Sequence, residues 1–291
     1  MRVINRALAS LSALPALLVA NAALADQPTP WQMGFQPAAT AIMEQVQWFE
    51  RYTLVFIVPI TLLVMGLLGW CILRYRASVN PNPSRTSHNT LVEVIWTVGP
   101  VVVLLLLAVP SFQLLAAQYT PPEEPALTIK ATGNQWNWDY EYQMEGGPSF
   151  NSTMLTDAYR AELGKEDIAQ YPRLLAVDNE VVVPVDTTVR VLVTASDVIH
   201  AFAVPAFGIK VDAVPGRINE TWFKATREGL YYGQCSELCG KDHAYMPIAI
   251  RVVSREQFDG WLDAADEDLN AANRALMAAI AAENKVASTD E

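Results

Sequence analysis

The sequence predicts a two-helix transmembrane hairpin followed by an all-β external domain and a helical tail. Three observations predict it. Two uncharged apolar runs near the start are each long enough to cross a bilayer, which takes about 20 residues. From Leu127 onward, short β-branched and aromatic runs are separated by Pro, Gly, Asp and Asn, the pattern of a sandwich or barrel. After Glu256 the chain becomes Ala-rich, with leucines recurring every seven residues.

Residues 1–25 read as a signal peptide. Arg2 and Arg6 precede the apolar stretch "ALASLSALPALLVANAALA", and cleavage is expected after Ala25. Residues 26–51 then form an exported segment. The first span is 52–73, "YTLVFIVPITLLVMGLLGWCIL", and the second is 94–117, "VIWTVGPVVVLLLLAVPSFQLLAA". Both contain Gly and Pro, which membrane helices tolerate where neighbours re-satisfy the backbone. Between them, residues 74–93 carry Arg74, Arg76 and Arg85 and no acid before Glu93, so the positive-inside rule places this loop in the cytoplasm. The exported segment and everything after Ala117 then face outward.

The external domain spans 118–255. Its strand-like runs include "LTIKATG", "QWNWDYEYQ", "VVVPVDTTVRVLVTA", "NETWFKA", "GLYYGQ" and "MPIAIRVV". The segment "GGPSFNSTMLTDAYRAELGKEDIAQYPRLLAVDN" reads as a polar, irregular excursion. In the tail, 256–291, Leu262, Leu269 and Leu276 alternate with Ala265, Ala272 and Ala279 in an amphipathic stripe. That stripe suits either packing on a partner or an exposed, frayed helix.

After Ala117 there are 27 Asp and Glu against 14 Lys and Arg. This argues against nucleic acid as a partner and fits a basic protein, or acidity serving solubility alone.

The chemistry gathers in "YYGQCSELCGKDHAYMPI". The chain has three cysteines and three histidines, and two of the cysteines and one histidine lie here with a methionine. Cys235, Cys239, His243 and Met246 form C-x-x-x-C-x-x-x-H-x-x-M. Thiolate, imidazole and thioether make a soft donor set that suits copper over calcium, magnesium or manganese, and Met is a poor zinc ligand. A mononuclear blue-copper site uses one Cys, two His and Met, so the extra thiolate allows a second ion to share both as bridges. Of the remaining histidines, His88 falls in the cytoplasmic loop. His200, in "SDVIHAFAVPAFGIKVDAVPG", is by elimination the other imidazole. A disulfide between Cys235 and Cys239 is the competing reading in an oxidising compartment. Cys71, inside a span, reads as an apolar side chain. Phe202, Phe207, Tyr232 and Met246 are expected to form a hydrophobic shell that excludes water.

At these residues the sequence resembles subunit II of a haem–copper cytochrome c oxidase of the bacterial type close to mitochondria. The resemblance runs through "MGFQPAATAIMEQV", the hairpin, "GNQWNWDYEY", "SDVIHAFAVPAFGIKVDAVPGR" and the cysteine loop. It implies a cupredoxin domain, a Greek-key barrel or sandwich, carrying a dinuclear copper A centre with two Cu ions. Cys235 and Cys239 then bridge both ions, His200 and His243 each bind one, Met246 is a weak ligand and Glu237 binds through its backbone carbonyl. The side chain of Glu237 is implied to reach a Mg or Mn ion shared with subunit I.

The resemblance further implies that Trp136 is the aromatic through which cytochrome c delivers electrons. The family commonly reads G-H-Q-W-Y-W-S-Y-E-Y there, so Asn134, Asn137 and Asp139 depart from the pattern and bear on docking. Asp139, Glu141, Asp178 and Asp197 are candidate docking acids for a basic cytochrome c. Glu93 reads two ways: as the mouth of a proton-uptake path into subunit I, or as half of a capping box with Thr90.

The implied protein is an electron-entry subunit of the oxidase in the bacterial inner membrane. It passes electrons to haem in subunit I for oxygen reduction coupled to proton pumping, with further subunits such as subunit III as partners. The chain itself does not reduce oxygen. The alternatives are a membrane-tethered copper or thiol assembly factor, on a thioredoxin-like fold, and a copper-free quinol oxidase subunit II, whose loop would lack these ligands. A nitrous oxide reductase domain would lack the hairpin. No C-x-x-C-H occurs, which argues against a fused c-type haem.

Overall fold

The computed structural model describes residues 26–287. The expected signal peptide, 1–25, lies outside the described residues. Helix α1 runs Ala41–Arg74 and α2 runs Thr90–Tyr119. Both are long and apolar enough to cross a membrane, and their most apolar windows have no buried residue, as expected of surfaces meant for lipid or protein rather than water.

Helix α1 begins eleven residues before the apolar run because Thr40 starts it. Thr40 Oγ1 accepts from the Met43 amide at 3.1 Å and donates to the Phe207 carbonyl at 2.8 Å, so one side chain caps the helix and ties it to the β domain. Ile42 and Met43 are buried there. The two helices touch, with Tyr52 Oη donating to the Leu106 carbonyl at 3.1 Å.

The start of α2 corrects the capping-box reading. Asn89 is the cap, its side chain accepting from the Val92 amide at 3.2 Å, and Thr90 is already helical. Glu93 is half-buried in the first turn, where a carboxylate suits the helix dipole.

Among the described residues, ten strands form two five-stranded sheets. They are β1 Leu127–Asn134, β2 Asn137–Tyr142, β3 Ser149–Ser152, β4 Val181–Pro184, β5 Thr188–Ala195, β6 His200–Val204, β7 Ile209–Ala213, β8 Asn219–Lys224, β9 Gly229–Cys235 and β10 Pro247–Val253. One sheet has the order β3-β2-β1-β5-β8 and the other β4-β10-β9-β6-β7. The β1–β5 and β4–β10 pairs are parallel and the rest antiparallel, which requires connections that cross between the sheets. Burial alternates along β1, β2 and β5, so one face of that sheet meets the core. Ile129, Trp138, Tyr140 and Val191 pack there against Phe202, Val204, Ile248 and Ile250.

Strand β10 is buried at every position. Its outer face is covered by residues of 146–179, the segment read as an irregular excursion. That reading needs correcting. The segment opens with β3 and supplies Leu155, Tyr171, Ala176 and Val177, which close over Leu230, Tyr232 and Ala249 in a second core. Glu180, the next residue, anchors the segment, with Lys165 Nζ 3.0 Å away and the Arg251 guanidinium bonded to its other oxygen.

The tail differs from both expectations. It is two helices, α3 Arg255–Ala265 and α4 Leu269–Ala287, broken at Asp266–Asp268 and folded back on the domain. Ser254 and Gln257 form a capping box that starts α3 immediately after β10. Phe258, Trp261, Ala265, Ala272 and Leu276 are buried, while Ala279 is exposed. Trp261 packs on Tyr142 with ring centroids 5.4 Å apart and donates from Nε1 to Asn273 Oδ1 at 2.9 Å. The heptad stripe is thus consumed within the chain.

Candidate metal centre

The strand order brings the separated motif residues together. Strands β6 and β9 pair antiparallel with Phe202 opposite Cys235, which puts His200, the first residue of β6, beside the end of β9. The chain then loops through Glu237 and Cys239, makes a short turn at His243–Tyr245 and enters β10 just after Met246.

The ligand atoms of His200, Cys235 and Cys239 lie within 4.8 Å of one another. The two Sγ atoms are 3.8 Å apart and both thiols are free, well beyond the ~2.05 Å of a disulfide. Cys235 Sγ lies 3.9 Å from His200 Nδ1 and 3.4 Å from the Glu237 carbonyl oxygen. Cys239 Sγ lies 3.4 Å from His243 Nδ1 and 3.6 Å from Met246 Sδ. Every donor atom expected from the sequence therefore converges on the thiol pair.

The donors fit a soft cation. Burial, and next the neighbouring Cys235, push the Cys239 thiol up to about 12, so paired thiolates here need positive charge to form. His200 is fully buried, Cys235 and Cys239 nearly so, and Met246 is 1 % exposed. Such a cavity excludes hard, water-rich ions and suits copper with sulfur and imidazole.

The support around His200 was not foreseen in the sequence. Its Nε2 lies 2.9 Å from Asp197 Oδ1, the usual arrangement of a ligating histidine whose other nitrogen donates to a carboxylate. Asp197 also accepts from the Val198 amide at 2.6 Å and the Gln135 amide at 2.7 Å. Burial raises its carboxyl, but these hydrogen bonds outweigh burial and hold it below the usual range. The D-x-x-H spacing at a strand entry was the available signal. Gly133 completes the fit, since a Cβ there would sit 3.0 Å from His200 Cδ2.

The hydrophobic wall differs from expectation. Phe202 belongs to it, together with Trp138, whose ring stands edge-on to Phe202 at 5.5 Å and to His200 at 6.2 Å. Trp138 Nε1 also donates to the Met246 carbonyl at 3.3 Å. Phe207 instead stacks on Phe223 and Tyr231, and Tyr232 faces the second core and donates to the Gln170 carbonyl. Side chains alternate across a strand, so Tyr232, three residues before Cys235, points to the opposite face.

Trp136 is half-buried on the β1–β2 turn, and its Nε1 donates to the Cys239 carbonyl at 3.3 Å. Gln135 Nε2 donates to the same oxygen at 2.8 Å. Asn134 joins the turn to its surroundings by donating to Asn137 and Asp139 and accepting from Ser196.

The four docking candidates stand in different environments. Asp139 accepts from Asn134 and Asn151, Glu141 pairs with Lys130 at 2.7 Å, and Asp178 accepts from the amide and hydroxyl of Thr153. Asp197 is turned to His200. The Glu237 residue is exposed. Glu93 is not brought near the centre. It stands 26 residues of α2 before Tyr119, about 40 Å along the helix.

The fold and site define a two-span membrane protein with a β-sandwich domain that holds a buried His200–Cys235–Cys239 cluster, flanked by His243 and Met246, as a candidate metal centre. Family models for the periplasmic domain and the transmembrane domain of cytochrome c oxidase subunit II match residues 127–253 and 28–114. The chain is 49% identical over 253 residues to "Probable cytochrome c oxidase subunit 2" of Rickettsia felis, covering 87% of this chain and 78% of that one. It is 50% identical over 246 residues to the protein of the same description in Rickettsia bellii, covering 84% and 88%. A crystal structure of the periplasmic domain of subunit II of cytochrome oxidase of Bradyrhizobium japonicum is 56% identical, with a TM-score of 0.44, covering 50% of this chain and 96% of that one. The chain belongs to the cytochrome c oxidase subunit II family, and it is a two-pass membrane protein.

Proposed function

We propose that this chain is the electron-entry subunit of a cytochrome-c oxidase in a bacterial inner membrane, with its N-terminal segment and β domain in the periplasm. The observation that carries this is the convergence of four donor groups, His200 Nδ1, the Glu237 carbonyl, His243 Nδ1 and Met246 Sδ, on the buried Cys235–Cys239 thiol pair. Two copper ions held by these residues would supply a one-electron acceptor and donor. The protein's part is to hold these donors in place, so that little rearranges between redox states, and to keep water out.

In this reading Trp136 would receive electrons from the haem of a cytochrome c, and the residues of the centre would hold the group that relays them to haem in subunit I, where oxygen would be reduced. The Trp136 indole supports this role by its direct hydrogen bond to the backbone of Cys239. Asp139, Glu141 and Asp178 supply negative charge for docking a basic donor, while Asp197 serves the docking face and His200 together. The Glu237 carboxylate would be a ligand to a Mg or Mn ion shared with subunit I, a role its exposure supports. Glu93, on the cytoplasmic end of α2, stands at a proton-uptake mouth. Subunit I and further subunits such as subunit III cover the lipid-length helices in the assembled oxidase.

Copper stoichiometry and EPR of the detergent-purified full-length chain test the reading. Two coppers per chain, with one unpaired electron shared by both nuclei, are expected. One copper, zinc, or a Cys235–Cys239 disulfide overturns it.

A further inference from the structure

The loop that carries the metal donors also closes around Trp136. Three consecutive residues touch the indole in different ways. The Cys239 carbonyl accepts from its Nε1. Gly240, at φ +126°, allows close approach, since a Cβ there would lie 2.9 Å from the ring's Cζ2. The Lys241 ammonium then stands over the ring, 5.6 Å from its centroid. Asp242, 3.6 Å from the same Nζ, steadies it. The Lys241 side chain is 79% exposed, so its charge faces solvent.

A cation at this spot is unexpected on an acidic domain read as docking a basic donor. The ring face is an attractive site for any cation. A lysine of the incoming protein would take it, and would then hold that protein in a register where its side chain, rather than its haem edge, covers the indole. With Lys241 already there, a second ammonium is repelled. We propose that Lys241 is a specificity-determining residue that sets docking register: it denies the Trp136 face to cationic side chains and leaves it to the uncharged haem edge of a cytochrome c whose lysines ring that edge. The docking acids attract the ring of lysines, and Lys241 excludes them from the indole face. This pairs attraction with a built-in repulsion, the usual route to specificity. The contacts holding Lys241 are exposed and individually weak, so the side chain swings aside without disturbing the fold.

This inference rests on Trp136 being the entry point. It predicts an opposed pair of effects, tighter binding with slower transfer. The experiment uses the assembled oxidase and a photoactivated basic cytochrome c, measuring the dissociation constant and the electron-transfer rate within the complex across ionic strengths. Lys241→Gln is expected to tighten binding about twofold at low salt, the effect of one unit charge acting across about 10 Å of water, and to lose that gain at high salt. The same variant is expected to slow transfer within the complex severalfold, and Lys241→Arg to restore it. Lys210→Gln, the same charge change beside Tyr119 at the hairpin end of the domain, is expected to leave the transfer rate unaltered. If Trp136→Phe slows transfer while Lys241→Gln leaves transfer within the complex unchanged or faster, whatever its effect on binding, the register role of Lys241 is overturned and the entry point stands. If Trp136→Phe leaves transfer unchanged, the entry point falls and the role of Lys241 falls with it.

Discussion

Asp197 Oδ1 stands 2.9 Å from His200 Nε2 while its carboxylate also accepts the backbone amide of Gln135, the residue before Trp136. One side chain therefore orients a candidate metal donor and pins the aromatic turn on the neighbouring sheet. Asp197→Asn keeps the size but removes the charge facing the imidazole. We expect copper affinity, measured by chelator competition, to fall about 10- to 100-fold, as for other partners of ligating histidines. Unchanged affinity would reduce Asp197 to a surface acid.

Trp136→Ala removes the indole and its bond to the Cys239 carbonyl. Stopped-flow reduction by cytochrome c should slow on the order of tenfold or more, each tenfold being about 1.4 kcal/mol on the barrier. The copper spectrum should persist, because no donor atom is lost. Wild-type entry kinetics would remove Trp136 from the path.

Gly133→Ala tests the packing behind the centre. The added methyl meets the His200 ring at 3.0 Å, closer than ordinary contact. Overpacking of this kind costs about 1–3 kcal/mol. Chemical denaturation should register that loss, and the metal spectrum should shift because the ring that moves is a ligand. An unshifted spectrum would mean the strand, not the ring, gives way.

Glu180 predicts acid sensitivity away from the centre. Burial alone would raise its carboxyl, but the Arg251 guanidinium and Lys165 ammonium outweigh burial and hold it at about 2, from 4.5. A depressed folded value stabilises the fold above the unfolded value and loses that contribution as pH falls. Stability should therefore drop between about pH 4.5 and pH 2, by about 3 kcal/mol from this group. Glu180→Gln should destabilise by about 3–5 kcal/mol at neutral pH, since it leaves Arg251 and Lys165 buried beside a neutral amide, and it should flatten the acid limb. A variant whose acid limb matches wild type would show that other carboxylates control it.

Much of the centre was legible because most of its donors lie within twelve residues, Cys235 to Met246, where spacing alone reveals a soft site. His200 was reachable by elimination among three histidines. The hairpin was legible from run length, and β1 and β2 from their alternation. Asp197 was visible as an acid, but its link to Gln135 spans 62 residues and arises only when β1 and β5 pair.

The tail shows the same division. Its leucines and alanines announced an apolar stripe, yet periodicity cannot say whether a stripe continues or folds back. The break at Asp266–Asp268, and the fit of Trp261 against Tyr142, settled that. Residues 146–179 read as polar because a buried charge in them, Lys165, is compensated by Glu180, which in turn pairs with Arg251 far along the chain. Local chemistry, the identity and spacing of donors and the length of apolar runs, is written in the chain itself. Which side chains face one another depends on sheet order and register, and those follow from burying one common core.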